Sequence, residues 1–68
     1  MADPTYKIIE LAGSSPTSIE DAIQGAVMRA SKTVKHLGWF EVMQTRGHIT
    51  NGKIDRYQVV LKVGFTLE

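Results

Sequence analysis

Apolar positions recur along this chain with two different periods, and the changes of period mark out the elements. Tyr6-Lys7-Ile8-Ile9-Glu10-Leu11-Ala12 is rich in β-branched and aromatic residues and predicts a first strand, ended by Gly13. Gly13-Ser14-Ser15-Pro16 is turn chemistry, with a proline that cannot extend a strand ladder. Thr17-Ser18-Ile19-Glu20 matches a capping box: Thr17 accepts from a free amide of the first helical turn, and Glu20 reaches back to the backbone of Thr17. From there Ile19, Ala22, Ile23, Ala26, Val27, Ala30, Val34 and Leu37 follow one another mostly at helical spacing, forming one apolar stripe. Glu20 and Asp21 at its start and Lys32, Lys35 and His36 near its end suit the helix dipole. Gly38 is placed as a left-handed C-cap. Gly25 costs up to ~1 kcal/mol relative to alanine inside the helix and is expected to mark a close approach by another element.

Residues Trp39 to Thr50 and Lys53 to Leu67 predict two long strands. Asn51-Gly52 between them is a strong hairpin signal, because both turn positions favour positive φ. A two-residue turn sets the register: Thr50 faces Lys53, Thr45 faces Gln58, and Phe40 faces Val63. Alternation then places Phe40, Val42, Val59, Leu61 and Val63 on one face, with Tyr57 nearby, as the seat of the helix stripe. Trp39, Glu41, Met43, Thr45, Arg56, Gln58, Val60 and Lys62 fall on the other. One helix covers one face of a sheet, so the second face stays open. Trp39, Met43 and Val60 among polar groups make that face an interface or a ligand site.

Sixty-eight residues make one domain, residues 1–68. A chain of that length buries only about 60% of the surface its unfolded form exposes, and such domains usually need a staple. The chain has no cysteine, which excludes disulfides and removes the commonest structural-zinc ligands. Oligomerisation is the remaining device. The opening Met1-Ala2-Asp3-Pro4-Thr5 carries no basic cluster and no apolar run suited to a signal peptide follows it. Unbroken apolar stretches such as Val59-Val60-Leu61 fall far short of a membrane span. A cytoplasmic protein without membrane association is expected. A net charge of +1 lacks the basic excess of an electrostatic nucleic-acid binder.

Trp39-Phe40-Glu41-Val42, Thr45-Arg46-Gly47, Tyr57-Gln58-Val59 and the closing Val63-Gly64-Phe65-Thr66-Leu67 together resemble the dodecins. So does Tyr6-Lys7-Ile8-Ile9-Glu10-Leu11 leading into Gly13-Ser14-Ser15, and the match covers nearly the whole chain. The resemblance implies an α+β fold: a single β-α-β-β domain whose bent three-stranded antiparallel sheet wraps around one helix. It implies a hollow homo-dodecamer that holds FMN, riboflavin or FAD non-covalently, without catalysis, in flavin storage, buffering or photoprotection. In the family two flavins stack between symmetry-related tryptophans. The matching tryptophan is Trp39, and the matching glutamine, which hydrogen-bonds the flavin ring, is Gln58.

Physical chemistry suits these roles. An indole is a good platform for offset stacking on a flat π-system, worth about 0.5–1.5 kcal/mol beyond area burial. A carboxamide offers both donor and acceptor to the mixed edge of a flavin's pyrimidine end. Trp39 and Gln58 share the open face by register but lie towards its opposite ends, so neighbouring subunits would assemble the site. Arg46 resembles a family position that contacts the ribityl or phosphate tail, and a guanidinium can bind phosphate in bidentate fashion. Simple alternation turns Arg46 to the helix side; either a bulge near Gly47 re-aims it or the contact crosses a subunit boundary. Thr45, expected opposite Gln58, is a further hydroxyl donor. Some relatives are also thought to hold coenzyme A on a basic patch, for which Lys7, Arg29 and Lys32 are the candidates. Thr66 stands where some relatives carry an arginine, which counts against that second site.

Other readings remain in view. Trp39 serves equally well as a plain subunit contact, since tryptophan is enriched at interfaces. His36 at a helix end, and His48 with Asp55 placed across from it near the hairpin tip, carry no metal or general-base signature. Glu41 opposite Lys62 is a cross-strand charge pair. Nucleophile elbow, phosphate-cradling loop and metal motif are all missing from the sequence, so an enzyme has least support. A ligand-free assembly module is the main alternative. A nucleic-acid binder using Arg46, Arg56, Lys53 and Lys62 lacks the several stacking aromatics that sheet-based RNA readers present.

Overall fold

The computed structural model describes residues 3–67. Its elements run β1 (Tyr6–Ser15), α1 (Ile19–Ala30), β2 (Leu37–Thr50) and β3 (Lys53–Thr66). They form one antiparallel sheet in the order β1-β3-β2, with α1 on one face. The expected β-α-β-β arrangement of the α+β class is therefore the observed one. The hairpin supplies β2 and β3 through Asn51-Gly52, both at positive φ. The helical crossover then lets β1 pair with the other edge of β3.

β1 runs past Gly13, where the sequence suggested it would end. Gly13, Ser14 and Ser15 pair with Val59, Gln58 and Tyr57, so a full-length partner holds them in the ladder. The buried Ser15 then closes the strand. Its hydroxyl donates to Asp21 Oδ2 at 2.7 Å and accepts from the amides of Thr17 at 2.9 Å and Ser18 at 3.4 Å. Because Ser15 takes the Thr17 amide, the helix cap moves one residue on from the expected Thr17. Ser18, with extended backbone, is the N-cap, accepting from the Asp21 amide at 3.0 Å.

The helix is shorter than its apolar stripe. It ends at Ala30 rather than carrying on to Leu37. Ser31 and Thr33 hydroxyls bond back to the carbonyls of Met28 and Ala30, and the Lys32 and Thr33 amides take carbonyls three residues back. The bonding tightens to three-residue spacing there, although the Val34 amide still reaches the Ala30 carbonyl at 2.9 Å. The left-handed residue is His36, with φ 67°, in place of the expected Gly38. Gly38 instead lies within β2 as an extra residue between Leu37 and Trp39.

Helix and sheet meet closely at Gly13, not at Gly25. A Cβ at Gly13 would stand 2.5 Å from the Ala22 carbonyl oxygen, whereas one at Gly25 would meet nothing within 4 Å. The core is Ala22 against Val59, Leu61 and Val63, flanked by half-buried Ile9, Leu11, Ile23, Ala26, Val27 and Leu37. The expected seating of Phe40 and Val42 under the helix does not occur. They are 51% and 37% exposed, because α1 packs on β1 and β3. Twelve residues of helix reach about 18 Å, against about 46 Å for a strand of fourteen. The radius of gyration, 14.3 Å, exceeds the ~11 Å of a compact chain of this length. The excess is the hairpin arm, which extends beyond the helix.

Bulges decide the hairpin register. Thr50↔Lys53 and Phe40↔Val63 pair as expected, but Asp55 is an extra residue on β3 and Met43 an extra residue on β2. Between these two bulges every partner is offset by one, so Arg46 faces Gln58 and Thr45 faces Val59. A one-residue slip exchanges the faces of a strand. The expected Thr45–Gln58 pair is thereby replaced, and the second bulge restores the original register before Trp39.

Candidate functional site

The sheet face away from α1 carries four cross-strand rows. Along it lie Ile8–Gly64–Trp39, then Glu10–Lys62–Glu41, then Ala12–Val60–Gln44, then Ser14–Gln58–Arg46. The alternate β3 residues Val59, Leu61 and Val63 are buried on the helix side, while Gln58, Val60 and Lys62 are only half-buried.

Trp39 lies over Gly64, its partner across the hairpin. A Cβ added at Gly64 would overlap indole atoms Cε2 and Cζ2, so the glycine is the bed on which the ring rests. Tyr6 meets the indole edge-on, with ring centroids 6.1 Å apart and planes at 68°. The indole remains 38% exposed. A hollow of about 150 Å³ borders it, lined also by Val27, Leu37, Gly38, Phe40 and Val63. Val27, Phe40 and Val63 place that hollow on the helix side of the sheet, so on the open face the indole is a platform and not part of an enclosure. Gly64 and Tyr6 were missed as neighbours of the indole. The Gly64 pairing was already implied by the hairpin register, whereas Tyr6 comes from β1, whose alignment local sequence does not fix.

At the other end of the face, Arg46 Nε donates to Gln58 Oε1 at 2.7 Å. The bulge at Asp55 brings this pair together, next to a close backbone approach at Gly47. A Cβ there would stand 2.7 Å from the Arg56 carbonyl oxygen. Gly64 lies six residues along β3 from Gln58, about 20 Å of strand. Trp39 and Gln58 of one chain therefore cannot contact a single flavin ring together.

The remaining candidates are dispersed. Thr45 has left the open face and lines a hollow of about 340 Å³ with Ile19, Gly47, Ile49, Ile54 and Tyr57, among others. Arg29 borders a hollow of about 290 Å³ between β1 and α1, which Lys7 and Lys32 do not line. His48 pairs with Arg56, and Asp55, expected opposite it, is the bulged residue. Lys62 lies between Glu10 and Glu41 in its row, so Glu41 has the cation expected across from it. Among the described residues no His, Asp or Glu cluster suited to a metal ion occurs, and no helix is long and apolar enough to cross a membrane.

These features define a class: small single-helix α+β proteins in which one face of an antiparallel sheet stays open and bears an aromatic platform. The family model Dodecin matches residues 5–68. The chain is 54% identical over 63 residues to dodecin of Thermus thermophilus, covering 93% of this chain and 91% of that one. The structure of dodecin from Streptomyces coelicolor superposes with a TM-score of 0.92 at 47% identity, covering 100% of this chain and 97% of that one. A tryptophan-to-phenylalanine variant of the Thermus thermophilus protein gives 0.91 at 50% identity, over 97% and 98% of the two chains. The chain belongs to the dodecin family.

Proposed function

We propose that this dodecin holds flavin non-covalently, without catalysis, in a hollow cytoplasmic homo-dodecamer that stores or buffers the cofactor or protects it from light. The observation that carries the reading is the exposed indole of Trp39, laid on Gly64 on a sheet face that α1 does not cover. A flat aromatic guest stacks on such a surface. Family membership supports the choice of FMN, riboflavin or FAD as that guest. The ~20 Å between the Trp39 and Gln58 rows supports a shared site: the indole of one copy and the carboxamide of another meet the same ligand.

Arg46 is suited to a phosphorylated tail through its terminal nitrogens. Thr45, having turned to the helix side, serves the ring only if another copy reaches it. Coenzyme A is the proposed second ligand of Lys7, Arg29 and Lys32, of which Arg29 borders the hollow between β1 and α1.

Titration of FMN, riboflavin and FAD against the assembled protein tests the reading by quenching of flavin fluorescence. Saturation near one flavin per chain is expected, and Trp39→Ala should abolish it. Unchanged affinity in that variant removes the proposed site. A ligand-free assembly is the alternative favoured by the bare strand β2, whose apolar residues need covering whether or not a ligand binds. It predicts a large oligomer that leaves all three flavins fluorescent.

A further inference from the structure

We infer that Arg46 is a positioning residue: by donating Nε–H to Gln58 it fixes the carboxamide so that the amide nitrogen, as donor, is turned towards the flavin ring. This rests on the flavin reading. A guanidinium has donors only, so it can bind the oxygen end of a carboxamide and not the nitrogen end. The 2.7 Å bond from Arg46 Nε to Gln58 Oε1 therefore selects one of the two amide orientations. Both hydrogens on Gln58 Nε2 remain for another acceptor, and the pyrimidine end of a flavin carries two carbonyl oxygens.

The pairing is built into the backbone. Without the extra residue at Asp55, Thr45 would face Gln58 and Arg46 would turn to the helix side. The Arg56 carbonyl lies too close to Gly47 for a side chain at that position. Arg46 would thus act on the ring, through Gln58, in addition to any contact its terminal nitrogens make with a phosphate.

Lumiflavin separates the two roles, since it keeps the isoalloxazine ring but lacks both ribityl chain and phosphate. Its binding to the assembled protein is to be measured by fluorescence quenching, with size-exclusion chromatography verifying the assembly of each variant. Arg46→Ala should weaken lumiflavin by about three- to tenfold, the range of one net hydrogen bond. Arg46→Met, which keeps much of the length but has no donor, should not restore it, whereas Arg46→Lys, itself a donor-only head group, should restore it in part. Gln58→Glu keeps an acceptor for Arg46 but has no donor for the ring, and should cost at least about tenfold. Arg56→Ala removes an equal charge from the next row and should leave lumiflavin binding unchanged.

Lumiflavin affinity unaltered in Arg46→Ala while FMN weakens would overturn the positioning role and leave a tail contact. Full lumiflavin affinity in Arg46→Met, which has no donor for Gln58, would overturn it as well. If the unaltered protein binds neither lumiflavin nor FMN, the flavin reading itself fails; an effect confined to the variants speaks only to Arg46.

Discussion

The part of the sheet formed by β1 and the later half of β3 is packed under α1, and Val59, Leu61 and Val63 there are almost wholly buried. The arm formed by β2 and the start of β3 is bare on both faces, with Ile49 75% and Ile54 62% exposed. Both regions carry apolar residues. β2 carries Leu37, Trp39, Phe40, Val42, Met43 and Ile49, and only Leu37 is even half-buried. They differ in cover, because α1 packs on β1 and β3 and leaves β2, the outer strand, bare. An apolar strand without cover is core still lacking its second layer, and copies of the chain are the proposed source of that layer.

The sharpest way to break this comparison is to damage each region in turn. Leu61→Ala removes a fully buried side chain from a core of four buried apolar residues. It should cost about 2–5 kcal/mol and lower the thermal midpoint steeply. Val42→Asp alters a position 37% exposed in the single chain, where a surface change costs within ~0.5 kcal/mol. If β2 is an interface, the loss is instead upwards of ~2 kcal/mol, with a shift to smaller species on size exclusion. An unchanged elution volume would show that the arm is not covered by other copies.

The two glycines beside α1 give a finer contrast. Gly13→Ala drives a Cβ into the Ala22 carbonyl and should cost about 1–3 kcal/mol through strain that the backbone cannot easily relieve. Gly25→Ala enters open space in mid-helix and should stabilise by about 0.5–1 kcal/mol. Denaturant unfolding measures both, and a destabilising Gly25→Ala would mean that the outer side of α1 is itself packed in the assembly. The last contrast, which includes the smallest effect, concerns the cap. Ser18→Ala should cost about 1 kcal/mol, while Thr17→Ala, whose hydroxyl caps nothing here, should fall within ~0.5 kcal/mol.

Much of the candidate site was legible, within limits that have physical causes. Trp39 opposite Gly64 follows from counting back from Asn51-Gly52, because the bulges at Asp55 and Met43 offset one another before that row is reached. Arg46 and Gln58 lie between those bulges, where counting fails by one and the wrong hydroxyl, Thr45, was placed on the open face. A possible bulge near Gly47 was recognised, but its position was not, because bulges answer to the twist and bend of a finished sheet. The helix is shorter than the apolar spacing of Val34 and Leu37 suggests: the Lys32 and Thr33 amides take carbonyls three residues back, and the chain turns out at His36 with positive φ.

By itself, then, the sequence determined what depends on neighbours along the chain: the order of strand, helix and hairpin, the tight turn at Asn51-Gly52, and the alternation that gives β3 one buried face. Tertiary structure alone decided what depends on distant contacts. β1 was lengthened by pairing with β3, the cap was moved to Ser18 by the buried Ser15, and Arg46 was turned to Gln58 by a bulge. Local periodicity records which residues are apolar but not which strands the covering element lies on, so the bare β2 became visible only once α1 lay on β1 and β3.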